Sequence, residues 1–260
     1  MIKIVTDSTA DVPQPLLEKY DIRVVPINIQ FGTETYQEGI DIDRLTFYEK
    51  LEEVMPTSSQ PSPGQFVEVY EKLAKQGHSI LSIVITSKHS GTYQSALLAQ
   101  SMMPEADIEV FDSLSISIGT GYQVLAAARA SEEGKGMEEI LGLLEGIRSR
   151  MHIYFTVATL EYLQRSGRVG RLAGALASLL NVRPIIKVEN GLLEAFEKVR
   201  TRGKSLDRIV GLTAQAVGTT EPVKLAISHA QVPEEAEALK AGLLETFNCD
   251  EMHVVDLACS

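Results

Sequence analysis

The feature that most constrains this chain is an alternation along its first 150 residues. Short apolar runs rich in β-branched residues are separated by stretches with helical spacing. Residues 2–5, 22–31, 79–85 and 107–111 read as strands. Between and after them, apolar side chains recur at helical intervals. They are Leu16, Leu17 and Tyr20, then Leu45, Phe47, Leu51 and Val54, then Phe66, Val69, Tyr70 and Leu73. Residues 96–100, 118–129 and 137–150 read as further helices. A chain with this rhythm folds as α/β, with a mainly parallel sheet and helical crossovers.

The helix starts carry their own signals. Asp11 precedes Pro13 and is expected to cap the first helix, and Asp43 the second. Ser62, Pro63 and Gln65 have the spacing of a capping box.

Near residue 150 the rhythm changes, so two lobes are expected, 1–150 and 151–260. The second opens with a strand at 153–157 and short helices at 160–164 and 173–180. Residues 184–188 and 192–199, joined by Asn190-Gly191, predict a hairpin. Helix, strand, helix and strand follow at 206–217, 223–230, 233–247 and 252–257. The result is an α+β lobe with a mixed sheet.

The strands of the first lobe run into hydroxyl-rich turns: Thr6-Asp7-Ser8, Thr57-Ser58-Ser59, Ser90-Gly91-Thr92 and Asp112-Ser113. Open α/β sheets take ligands beyond the carboxyl ends of their strands. Free backbone N–H groups and the helix dipole favour an anion there. One such turn is equally explained if Ser90 or Thr92 only caps a helix. Four turns are harder to explain that way, and Ser58 and Ser59 are not needed by the cap at Ser62. Neutral hydroxyls and N–H groups beside an apolar interior suit an anionic head group with a hydrophobic body.

Composition removes other classes. A net charge of −11 argues against nonspecific nucleic-acid binding and against an anionic membrane surface. No apolar run approaches the ~20 residues of a membrane-spanning helix. The chain starts directly in a strand, and Cys249 and Cys259 have no metal-ligand spacing. The expectation is a cytoplasmic protein without cofactor or metal. His78, His152 and His253 stand alone, and His229 ends a strand where it either lines a cleft or is a satisfied buried histidine.

Against this acidic background, Arg165, Arg168, Arg171, Arg200, Arg202 and Lys204 concentrate in two turns. They either pair with nearby carboxylates or meet a phosphate or acidic partner. An enzyme reading is also available: Ser90 with His89 and Asp7 or Asp112 would make a small-molecule hydrolase, or the scaffold a phosphosugar-type enzyme. No Gly-x-Ser-x-Gly elbow supports it, and His89 and Ser90 are sequence neighbours.

Residues 5–11 (VTDSTAD), 57–62 (TSSQPS), 90–95 (SGTYQS), Asp112-Ser113, 163–169 (LQRSGRV) and 199–202 (VRTR) resemble, in order, the motifs of the DegV family. These are bacterial fatty-acid-binding proteins that act as acyl carriers for a separate fatty acid kinase. The resemblance implies two α/β lobes holding one long-chain fatty acid between them. Its carboxylate would be phosphorylated by the kinase for phospholipid synthesis, leaving room for transient membrane contact but no transmembrane segment. It assigns the carboxylate to Ser58, Ser90 and Gly91, with Thr6, Asp7, Ser8, Ser59, His89, Thr92, Ser113 and His229 as head-group neighbours. Arg168 and Arg200 match the arginines near the kinase-facing mouth. Ser58 stands where many relatives have Thr, and His89 where they usually have an apolar residue. The family's last strand and histidine-bearing loop would begin beyond Cys259-Ser260. Either the sequence is cut short there or the protein lacks that group. Only a real absence would expose the edge of the second sheet and put phosphotransfer in doubt.

Overall fold

The computed structural model describes residues 1–168 and 182–259. The chain separates into two compact units, Met1–Arg150 and Met151–Asp256, and residues 257–259 rejoin the first. In chain order the first unit contains β1 (Ile2–Asp7), α1 (Gln14–Lys19), β2 (Arg23–Val25), β3 (Asn28–Phe31) and β4 (Glu34–Gln37). Next come α2 (Arg44–Glu53), β5 (Thr57–Ser59), α3 (Pro63–Ala74), β6 (Ser79–Val84) and α4 (Thr92–Ser101). β7 (Ile108–Asp112), α5 (Ser117–Glu132) and α6 (Met137–Arg150) complete it.

β2-β1-β6-β7 form a parallel sheet in that order, as the alternation predicts. Its strands are apolar on both faces because both faces are covered. In β6, Ile80 and Val84 pack with Phe66 and Tyr70 of α3 and Ala96 and Ala99 of α4. Leu81 and Ile83 point the other way, onto Val124 and Leu125 of α5 and Ile140 and Leu144 of α6. The period of two within one short run therefore serves two cores.

Three expectations are corrected. The run at 22–31 is not one strand: it breaks at Pro26-Ile27, and its halves join different sheets. Proline has no N–H to continue a ladder, so the break falls there. β3 instead centres an antiparallel sheet, β4-β3-β5, whose Ile29 and Phe31 pack on Ile42 and on Phe47 of α2. The turn expected at Thr57-Ser58-Ser59 is β5, an edge strand paired with β3 in the register Ile29↔Ser58. Asp11 does not cap α1, whose N-cap is Pro13 and which has no side-chain cap. Asp11 is left-handed, at φ 50°, and accepts a hydrogen bond from the Ser117 hydroxyl at 2.5 Å. Asp43 and the capping box of Ser62 and Gln65 are as expected.

The second unit contains β8 (Ile153–Thr156), α7 (Glu161–Arg165), β9 (Arg183–Glu189), β10 (Leu192–Val199) and α8 (Arg202–Val217). β11 (Val223–His229), α9 (Pro233–Thr246) and β12 (Cys249–Asp256) follow. The hairpin β9–β10 turns at Asn190-Gly191, φ 49° and 78°, and β8 adds antiparallel to β9. β11 and β12 pair parallel in a separate sheet. Among the described residues the mixed character is thus divided between two sheets. Arg171 and the helix expected at 173–180 lie outside the described residues. No described helix is long and apolar enough to cross a membrane.

Candidate functional site

In a parallel sheet the carboxyl ends of all strands share one edge, which brings Asp7, Val84 and Asp112 to the same side. The strand order runs from β1 to β2 on one side and to β6 and β7 on the other. β1 and β6 therefore flank the switch point of the sheet, where the crevice of such folds lies.

Asp7 joins the two strand ends. One of its oxygens accepts from the Ile85 N–H at 2.8 Å, and the other from the N–H and hydroxyl of Thr9. Burial pushes its carboxyl above the usual range, and the bonds from Thr9 and Ile85 oppose this. Thr6 is fully buried, and its Oγ1 has no hydrogen-bond partner among the described residues. Ser8 faces the second sheet, donating to Glu38 at 2.6 Å and accepting from the Ile27 N–H at 3.1 Å.

The turn after β6 is held from two sides. The Thr86 N–H donates to the Ser115 carbonyl, and the Ser87 N–H to Asp112. Ser90 Oγ lies 2.8 Å from Thr92 Oγ1 and accepts from the Thr92 N–H at 3.2 Å. Its hydroxyl is thus bonded to Thr92 rather than to an imidazole, although the half-buried His89 is next to it. The N-cap of α4 is Gly91, which leaves the helix start without a side-chain cap. Ser113 is fully buried, between Thr120 and the Ser115 N–H.

Ser58 is half-buried and Ser59 exposed in β5. The side chain of Gln60, one residue beyond β5, rests against Gly91. The end of that strand and the Ser90–Thr92 turn are therefore neighbours. Thr6, Asp7, Ser8, Ser58, Ser59, His89, Ser90, Gly91, Thr92 and Ser113 all belong to the first unit.

Arg168, Arg200 and His229 belong to the second unit. The sequence Arg165-Ser166-Gly167-Arg168 closes α7. Gly167 takes φ 72°, its N–H returns to the Gln164 carbonyl, and the Arg168 N–H returns to that of Leu163. Arg168 is half-buried, and burial holds its guanidinium below its usual range. Arg200 is exposed and forms no ion pair with a described carboxylate. Arg165 pairs with Glu161 at 2.6 Å, and Arg202 with Glu235 at 2.8 Å. His229 ends β11, with its Nδ1 3.4 Å from a carboxylate oxygen of Asp256.

One group was invisible in the sequence. Asp11, Glu38 and Arg44 meet Thr6 and Asp7 around a cavity of about 270 Å³ in the first unit. Burial pushes the Asp11 carboxyl up to about 7 and raises that of Glu38 as well. The backbone N–H of Cys259 donates to Glu38, and burial pushes the Cys259 thiol up to about 12. In the sequence Asp11 read as a helix cap, and Glu38 and Arg44 carried no signal. Among the described residues no cluster of His, Cys, Asp and Glu side chains is arranged to hold a metal ion.

Comparison with known proteins agrees with this architecture. The family model described as "uncharacterised protein, DegV family" matches residues 1–260. Protein DegV of Bacillus subtilis is 36% identical over 256 residues, covering 97% of this chain and 90% of the relative. A Thermus thermophilus structure described as fatty acid binding of a DegV family protein superposes with a TM-score of 0.93 at 33% identity. That match covers 99% of this chain and 93% of the other. A stearic-acid-binding protein of Eubacterium ventriosum superposes with a TM-score of 0.88 at 26% identity, over 96% and 90% of the two chains. With residues 1–260 matched by the family model, this chain belongs to the DegV family.

Proposed function

We propose that this protein binds a long-chain fatty acid in the cytoplasm and presents its carboxylate to a separate fatty acid kinase. The observation that carries this reading is the Ser90–Thr92 turn, a set of neutral donors at the switch point of the parallel sheet. The names of its structural relatives point to the same ligand class. Ser58, Ser90 and the Gly91 backbone hold the carboxylate, with Thr6, Asp7, Ser8, Ser59, His89, Thr92, Ser113 and His229 as head-group neighbours. Neutral donors suit a carboxylate that is to be modified, because an arginine salt bridge would hold its charge too strongly. Arg168 and Arg200 serve the later state, either the added charge of an acyl phosphate or an acidic patch on the kinase. Phosphoryl transfer belongs to the kinase, and this chain is the carrier.

Organic extraction of the purified protein followed by mass spectrometry tests the ligand class. Stoichiometric long-chain fatty acid is expected, whereas an empty protein that turns over small esters would overturn the carrier reading. Ser90→Ala tests the site. Losing one hydrogen bond to a charged group costs about 1.5–3 kcal/mol. Displacement of a fluorescent fatty acid should therefore show weaker binding by a folded variant, and unchanged affinity would remove Ser90 from the site.

A further inference from the structure

Gly91 has φ −79° and ψ 2°, a conformation open to any residue, so its backbone does not require glycine. Its surroundings make a side chain there compete with a neighbour. A Cβ at this position would lie 2.8 Å from Nε2 and 2.9 Å from Cδ of Gln60, inside any normal contact. The missing side chain is the space that the Gln60 carboxamide occupies.

That carboxamide is placed but unused. Gln60 is exposed, and its only hydrogen bond among the described residues runs through its backbone carbonyl, from Asn28 Nδ2 at 3.4 Å. Both its flanks are fixed. Ser59 pairs with Asn28 at the end of β5, and Pro61 follows, restricting Gln60 to extended backbone before the capping box at Ser62. A long, flexible side chain is thus delivered to the Ser90–Gly91 turn with two N–H donors and an acceptor to spare.

We infer that Gln60 is a further head-group residue: its carboxamide donates to the ligand's carboxylate from the space beside Gly91 that a side chain there would contest. This rests on the fatty-acid reading above and extends it to selectivity. A primary amide is a neutral donor like the hydroxyls of Ser58 and Ser90, so it recognises the anion without a salt bridge. A fatty alcohol of equal chain length would gain far less from it, since hydrogen bonds to charged groups are the stronger kind.

The test compares a long-chain fatty acid with the alcohol of the same length, both as displacers of a fluorescent fatty acid probe. Wild type, Gln60→Ala, Gln60→Glu, Gly91→Ala and the Gln60→Ala/Gly91→Ala double variant are measured, with Ser90→Ala as reference. Gln60→Ala is expected to weaken the acid about tenfold while leaving the alcohol nearly unchanged. Gln60→Glu should weaken the acid further, because like charges repel. Gly91→Ala should reproduce Gln60→Ala, and the double variant should be no worse than either single, because both remove one contact. The proposal is overturned if Gln60→Ala and Gln60→Glu keep the wild-type preference for acid while Ser90→Ala loses it. A purely structural role would lower acid and alcohol together, which also overturns it. If wild type shows no preference for the acid, the head-group reading itself fails, and that result is distinct from the other two.

Discussion

Asp11 shows how one residue can change meaning between sequence and fold. Beside Pro13 it looks like a helix cap, but in the structure it is 6% exposed and faces Ser117, Arg44 and Glu38. Arg44 approaches it only to 3.9 Å, so desolvation outweighs the attraction and its pKa rises to about 7. A carboxyl that ionises later in the folded state than in the unfolded state favours folding while protonated. Its contribution is therefore full below the unfolded value of 3.8 and is lost as pH rises towards 7. The whole loss is on the order of 4 kcal/mol at most. Asp7 and Glu38 act in the same direction. Thermal unfolding should show a midpoint that falls between pH 4 and pH 7. Asp11→Asn, which keeps an acceptor for Ser117, should flatten that fall. A variant with the wild-type slope would show that Asp11 is ionised normally.

At the scale of elements, local chemistry decided some helix starts and tertiary pairing decided the short strands. The start of α3 is a local case. Ser62 Oγ accepts from the Gln65 N–H at 3.3 Å, and the Gln65 side chain accepts from the Ser62 N–H at 2.9 Å. The cap also anchors the segment that carries Ser58 and Gln60. Ser62→Ala should cost about 1 kcal/mol, read as a lower urea midpoint with an unchanged slope. Full stability would show that Pro63 and packing alone start the helix. β4 and β5 are the opposite case. Each is four residues or fewer, neither has a strong propensity signal, and both exist because β3 offers its two edges. The same explanation covers the split at Pro26, where one apolar run supplies strands to two sheets.

For the molecule as a whole, the division of labour between the units is the testable point. If neutral donors in the first unit hold the fatty acid, the ligand does not need Arg168 and Arg200 of the second as counter-ions, and delivery is their expected role. Arg168→Ala and Arg200→Ala should then be purified with fatty acid bound, yet fail to form acyl phosphate with a cognate kinase and ATP. A loaded, folded variant phosphorylated at the wild-type rate has no delivery role, and two empty variants would place the head group elsewhere. The local pairing of Arg165 and Arg202 predicts that their alanine variants keep phosphorylation. By itself the sequence determined the α/β class, the parallel sheet, the capping box, the hairpin at Asn190-Gly191 and the hydroxyl turns other than Thr57-Ser58-Ser59. These depend on periodicity and turn chemistry, which act over a few residues. Only the tertiary structure decided that β3 leaves the first sheet, that Glu38 and Asp11 share a cavity, and that Gln60 lies against Gly91. Those depend on which distant segments are packed together, and burial and close approach leave no mark on either segment alone.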